Sequence, residues 1–454
     1  MNTYFKDISC IPQVTQASPF LSGEGVIVAI LDSGIDYFLP EFTDSNGKTR
    51  ILAIWDQSAI IDKERGLLPP KGYREGVLYT RDMIDEAISL GREEGFKIVP
   101  VLDSSGHGTA VAGVAAGTMI GVSPKSDIVA VKLGNPLPDS FPRTTQLMRG
   151  LDYVVKLGIE LNRPVVINLS FGNTYGDHLG NSLLERFVDN VSEIGKTAIV
   201  IGSGNEGFSR GHTAGIAKEK RTIELAIAEY ETGLSIQLWK YYQDIFNIVI
   251  VSPSGERMVL EVSELNEAEA VRRTLEQTQL LCYIGKPLPY SVSQEIFIDM
   301  IPADTYINSG VWSFELEPVN VVTGEYRFYL SSYAIRNAGT GFFLPTPEMT
   351  ITIPSTARRA ITVGAYDATL NSYADFSGRG YVYRYIQGRT DMAEIPYGIA
   401  EVKPDLVAPG VNISVPIVGG GYQQVSGTSF ATPFVTGAAA LLMEWGDGVI
   451  IRLS

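Results

Sequence analysis

Val26-Ile27-Val28-Ala29-Ile30-Leu31-Asp32-Ser33-Gly34 is the stretch on which the fold turns. An apolar run with no polar alternation leads straight into a carboxylate and a glycine. Such a run reads as a strand buried on both faces, as in a parallel sheet covered by helices. Asp32 then stands at the C-terminal end of the strand, the edge where open α/β sheets gather their ligands. An aspartate there can also do no more than cap the next turn.

The same texture recurs along the chain. Asp127 to Leu133 reads as a strand and Thr145 to Leu157 as the helix after it. The order repeats with Val165 to Leu169, Ser182 to Ile194, and Lys196 to Gly202. It resumes at Ile361 to Ala365 and Pro404 to Gly410. Alternation of this kind predicts an α/β fold, a parallel sheet flanked by helices.

Three further segments carry chemistry. Gly106-His107-Gly108-Thr109-Ala110-Val111-Ala112-Gly113 opens a helix of small residues with a histidine near its start. Ser426-Gly427-Thr428-Ser429-Phe430-Ala431-Thr432-Pro433 puts a serine ahead of a small-residue helix, Phe434 to Trp445. A hydroxyl at a helix N-terminus sits where free N–H groups and the macrodipole favour negative charge, which suits a nucleophile. Each motif has an ordinary alternative: serine and threonine also cap helices, and most histidines are structural. Ala198-Ile199-Val200-Ile201-Gly202-Ser203-Gly204-Asn205 is a strand running into a glycine turn. Its asparagine could simply be a turn residue.

Taken in order, Asp32, His107 and Ser429 follow the Asp…His…Ser sequence of subtilisin rather than that of chymotrypsin or the α/β-hydrolases. With the Asn205 block, the chain resembles the subtilase family of serine proteases. The resemblance implies a subtilisin-like sheet, an Asp32–His107–Ser429 triad and an oxyanion hole formed by Asn205 and the Ser429 N–H. It also implies a substrate cleft walled by Ser170, Phe171 and Gly172 on one side and Gly202, Ser203 and Gly204 on the other. The expected activity is peptide hydrolysis, and the expected partner is a protein or peptide. The alternative is a catalytically silent pseudoprotease that acts as a sensor or scaffold.

Composition narrows the classes. At 45% hydrophobic and 19% charged residues, the 454-residue chain can bury a large core, and its length suggests more than one domain. The net charge of −15 disfavours a nucleic-acid groove, which needs a basic field. No apolar run is long enough for a membrane span. The N-terminal residues lack the basic and apolar regions of a signal peptide, so a cytoplasmic or spore-associated location is expected. Cys10 and Cys282 are too few for a disulfide framework and are expected to be free buried thiols. Three scattered histidines, and a short Ala116 to Val122 loop where many subtilases carry a calcium loop, lead us to expect no metal and no cofactor.

Between 217 and 352 the texture changes to period-two alternation, as in Leu234 to Trp239, Phe246 to Val251, Gly310 to Leu316 and Glu325 to Leu330. Only Leu265 to Thr278 reads as helical. Short alternating strands between Pro/Gly turns predict an inserted all-β domain of the jelly-roll kind. The expected organisation is a catalytic part over 1–216, the insertion over 217–352, and a second catalytic part over 353–454. Asp32 and His107 lie 75 residues apart, with Trp55-Asp56-Gln57 and a helix from Thr80 to Ile88 between them. This long spacing and the β insertion resemble the Csp-type subtilases of spore-forming clostridia. Many subtilases carry an N-terminal prodomain; the residues ahead of Asp32 are too few for one. The chain also ends soon after the Ser429 helix, earlier than the family leads one to expect.

Overall fold

The computed structural model describes residues 3–18, 20–134, 142–261, 270–286, 291–384 and 399–453. The strands of the central sheet follow in chain order as β1 (Ile27–Asp32), β2 (Ile51–Asp56), β3 (Val77–Thr80), β4 (Asp127–Lys132), β5 (Val165–Leu169) and β6 (Thr197–Gly202); β1, β4, β5 and β6 are those the sequence predicts. Across the sheet they run β6-β5-β1-β4-β2-β3, and the strand Ile361–Asp367 adds beyond β6. Only the edges are antiparallel, β3 on β2 and Ser372–Tyr373 on Ile361–Asp367. β1 lies between β4 and β5, with Ile27 opposite both Asp127 and Val165. The chain therefore crosses β1 on passing from β4 to β5, and the crevice at that crossing opens beyond Asp32.

Every residue of β1 and of β5 is buried, which is why neither shows alternation. One face of the sheet carries Val28, Ile30, Val166 and Val200 against Ala112, Ala115, Phe430 and Phe434. The other carries Ala29, Leu31, Ile167 and Ile199 against Leu147, Leu151, Val154 and Val188. Each Val, Leu, Ile or Phe side chain among them contributes about 1.5–3 kcal/mol by leaving water. The first face thus holds the helices His107–Ala116 and Thr428–Leu453. The second holds Thr144–Glu160 and Leu183–Val191. Ser182 starts the last of these through a capping box: its Oγ accepts from Glu185 N, and Glu185 Oε2 accepts from Ser182 N.

The serine-bearing helix starts earlier than expected, at Thr428 rather than Phe434, and includes Pro433. Proline lacks the N–H that would reach the carbonyl four residues back, that of Ser429. Ser170 Oγ donates to that carbonyl instead, at 2.9 Å. The missing helical bond is replaced by one from the end of β5.

The insertion is a two-sheet antiparallel sandwich. One sheet has five strands and the other six, and His212–Ile216, ahead of the expected boundary at 217, belongs to the second. Ile223, Leu225, Ile250 and Phe314 of the first sheet meet Ile236, Leu238, Ile298 and Phe328 of the second in one core. The expected helix over Leu265–Thr278 is corrected: Val271–Leu275 is a strand, paired antiparallel with Thr278–Ile284, while 262–269 lie outside the described residues. The segment between Asp32 and His107 supplies β2, β3 and the helix Arg81–Leu90, close to the expected Thr80–Ile88.

Candidate active site

Asp32 ends β1 and is buried. Its Oδ1 accepts the Ser33 N–H at 2.7 Å, which turns the carboxylate toward the histidine helix. His107, the first residue of that helix, places Nδ1 2.8 Å from Asp32 Oδ1. Gly108 permits this approach. A Cβ there would stand 2.2 Å from the Gly34 carbonyl oxygen and 3.1 Å from Asp32 Cβ, so no side chain fits between helix and strand end. Burial alone would lower the His107 pKa. The Asp32 charge and hydrogen bond, joined by the Asp103 charge, outweigh it and hold the imidazole above its ordinary value.

Ser429 is the second residue of its helix. The helix end is capped by Asn205, whose Oδ1 accepts from Thr428 N at 3.0 Å and from Thr428 Oγ1 at 3.1 Å. Oδ1 is committed there, and among the described residues Asn205 Nδ2 donates to no protein acceptor. Ser429 Oγ donates to the Ser170 carbonyl at 3.3 Å; among the described residues no hydrogen bond joins it to His107. All of these groups border one cleft of about 700 Å³, lined by Asp32, His107, Ser170, Asn205 and Ser429 among others. A hydroxyl, an imidazole paired to a carboxylate, and an amide donor around one space are the parts an acyl transfer needs.

The family can now be read from the whole chain. A model of the subtilase family matches residues 23–270 and 338–448. The chain belongs to the subtilase family. The solved structure of the Clostridium perfringens CspB protease is 34% identical to it. The alignment covers 99% of this subtilase and 87% of that chain, with a TM-score of 0.84. The PIII-type proteinase of Lactococcus lactis subsp. cremoris is 22% identical over 93% of the chain and 22% of that protein. The minor extracellular protease Vpr of Bacillus subtilis is 25% identical over 95% of the chain and 48% of that protein. This subtilase therefore spans about a fifth of the length of the first of these relatives and about half of the second.

Of the cleft-wall residues expected from the resemblance, Ser170, Phe171, Gly172, Gly202 and Gly204 line the cleft of this subtilase. Ser203 does not line it: it is buried beneath, facing Ser377 Oγ at 3.3 Å. Gly204 holds φ at +93°, and a Cβ there would stand 2.4 Å from Thr352 Cγ2. A side-chain-free turn is thus required just before Asn205.

The other two histidines take no part in the cleft. His178 and His212 sandwich the Tyr329 ring, with centroids 3.9 and 4.2 Å away. Burial drives the His212 pKa down to about 3, so it stays neutral. Both cysteines are free, but Cys10 is exposed, against expectation, at a turn after the short helix Thr3–Ile8. Cys282 is buried in the sandwich, and its thiol pKa rises to about 12 by desolvation. Among the described residues no helix is long and apolar enough to cross a membrane.

Sequence reasoning passed over Asp103. It is buried and anchors the start of the histidine helix: Oδ2 accepts Thr109 N at 2.8 Å and Thr109 Oγ1 at 2.6 Å. Its Oδ1 accepts Gly106 N at 3.0 Å and Ser33 Oγ at 2.7 Å. Ser33 Oγ in turn accepts Gly108 N at 3.0 Å. The available signal was an aspartate shortly before a Ser-Ser-Gly-His turn, a common place for side-chain to backbone bonds.

Proposed function

We propose that this chain is a serine endopeptidase that hydrolyses peptide bonds through an acyl-enzyme on Ser429. The observation that carries the reading is the 2.8 Å pairing of His107 Nδ1 with Asp32 in the cleft that Ser429 borders. That pairing commits Nδ1 to the carboxylate and leaves Nε2 as the basic nitrogen. The hydroxyl swings from the Ser170 carbonyl toward Nε2 when substrate enters. His107 takes the Ser429 proton as Oγ attacks the carbonyl carbon, then returns it to the departing amine. Asp32 holds the tautomer and stabilises the imidazolium. Asn205 Nδ2 and the Ser429 N–H receive the oxyanion at the positive end of a helix. Water then attacks the acyl-enzyme by the same steps in reverse.

Ser170 to Gly172 and Gly202 to Gly204 are proposed to bind the extended substrate backbone on either side. The likeness to the CspB protease supports the peptidase reading, with a protein or peptide as substrate. The silent alternative, a sensor or scaffold, needs the cleft to lack a working group, and no observation favours it. The test is hydrolysis of casein and of short peptides by the parent and by Ser429→Ala. Loss of turnover in the variant is expected; equal turnover would sink the proposal.

A further inference from the structure

The β-sandwich reaches into the cleft. Its segment Ser332–Ala334, which follows the strand Glu325–Leu330, lines the same space as Gly204, Asn205 and Ser429. What holds it there is Glu206, the residue after Asn205. Ser332 Oγ donates to Glu206 Oε1 at 2.7 Å, and Tyr333 N donates to the same oxygen at 3.0 Å. The buried Arg336 guanidinium stands 3.9 Å from Oε2 and donates to the Ser209 and Thr340 carbonyls. Glu206 itself is 8% exposed. Its charge is therefore spent on the loop and on a buried cation, and offers little to a positive substrate side chain. Tyr333, by contrast, is 51% exposed while its backbone is pinned. With Phe171 and Ala334 it lines the cleft that Asn205 and Ser429 also border.

We propose that Tyr333 is a specificity-determining residue, supplied by the insertion, that makes this subtilase select large uncharged side chains on the acyl side of the scissile bond. Glu206 is a positioning residue that acts by holding the Ser332–Ala334 loop. The inference rests on the endopeptidase reading above, and deepens it: the insertion is a wall of the substrate site.

The experiment uses the full chain and a peptide set that varies only that one residue. Rates are expressed per Ser429 labelled by a fluorophosphonate, so inactive molecules do not count. The parent is expected to rank Phe, Tyr and Leu above Lys and Arg. Tyr333→Ala should lower the Phe-to-Ala preference about tenfold, since even one methylene in an apolar pocket discriminates by that order. Tyr333→Arg should raise cleavage after Glu, and Glu206→Gln should raise KM for the Phe peptide more than it lowers kcat. Labelled Tyr333→Ala and Tyr333→Arg proteins that keep the parent's ranking would overturn the inference alone. A parent that neither labels nor cleaves would overturn the endopeptidase reading and this inference with it.

Discussion

Ser170 and Ser429 hold each other across the cleft: Ser170 Oγ donates to the Ser429 carbonyl at 2.9 Å, and Ser429 Oγ donates to the Ser170 carbonyl at 3.3 Å. The first bond replaces the one that Pro433 cannot make. It is backed by a buried chain in which Asn168 Nδ2 donates to Ser170 Oγ at 2.9 Å and Thr436 Oγ1 donates to Asn168 Oδ1 at 2.8 Å. The end of β5 and the serine helix are thus one polar unit inside an apolar core. Replacing Asn168 by alanine removes its bonds to Ser170 and Thr436, while the Thr436 hydroxyl keeps the Thr432 carbonyl at 3.2 Å as acceptor, so the loss should be about 0.5–1.5 kcal/mol for each bond removed. Chemical denaturation should show that loss, with kcat falling as Ser429 loses its fixed position.

Gly108→Ala puts a methyl group against the Gly34 carbonyl and Asp32 Cβ. Backbone on the other side of the contact cannot rotate away, so the histidine helix must shift. Overpacking of this kind costs about 1–3 kcal/mol. A displacement of the imidazole by even ~1 Å should lower kcat/KM about 10²-fold. Steady-state kinetics and thermal unfolding on the same preparation check both halves.

The pH dependence follows from His107. Only the neutral imidazole can accept the Ser429 proton, and its pKa is held above the ordinary 6.5. Activity should therefore rise with pH through an inflection above 6.5. Stability has the opposite sign: the folded state binds this proton more tightly than the unfolded chain. The His107 contribution is full below the unfolded value and is lost as pH rises through the folded one. A kcat/KM profile whose acid limb lies below 6.5 contradicts the assignment.

Asp103→Asn tests the residue that anchors the His107 turn. Its Oδ atoms accept from Gly106, Thr109 and Ser33, and an amide nitrogen cannot accept. A loss of about 1–3 kcal/mol is expected for the donors left unpaired. Removing the Asp103 charge also removes one of the influences that raise the His107 pKa. The acid limb of the activity profile should move to lower pH, a shift that simple destabilisation does not produce.

Asn205→Ala removes the proposed oxyanion donor. A drop of about 10²–10³ in kcat is expected, the size seen when subtilisin loses its own oxyanion-hole asparagine. Asn205 Oδ1 also caps the serine helix, so a modest stability loss of about 1 kcal/mol should accompany it. Pre-steady-state acylation rates, compared with unfolding curves, separate the two effects.

The central sheet is legible in the sequence because parallel strands are continuous apolar runs; Asp32 stands out at the end of one, and His107 and Ser429 stand out at the starts of small-residue helices. Val165–Leu169 and Ile27–Asp32 are fully buried, as their composition implies. The misread Leu265–Thr278 segment shows the limit. The hairpin between Val271–Leu275 and Thr278–Ile284 turns at Glu276, which takes φ +54°. No glycine or asparagine marks that turn, so the usual hairpin signal is missing. The start of the serine helix was hidden by Pro433, which reads as a helix breaker until Ser170 is seen to replace its bond. The Glu206–Ser332 contact joins residues 126 positions apart, a distance over which no local pattern speaks.

The most direct test of the account is to react the folded chain with a fluorophosphonate near neutral pH and locate the adduct by mass spectrometry. A single adduct on Ser429 is expected, formed much more slowly in His107→Ala and absent from Ser429→Ala. A folded parent chain whose Ser429 stays unmodified, while an added subtilisin control is fully labelled, would contradict it.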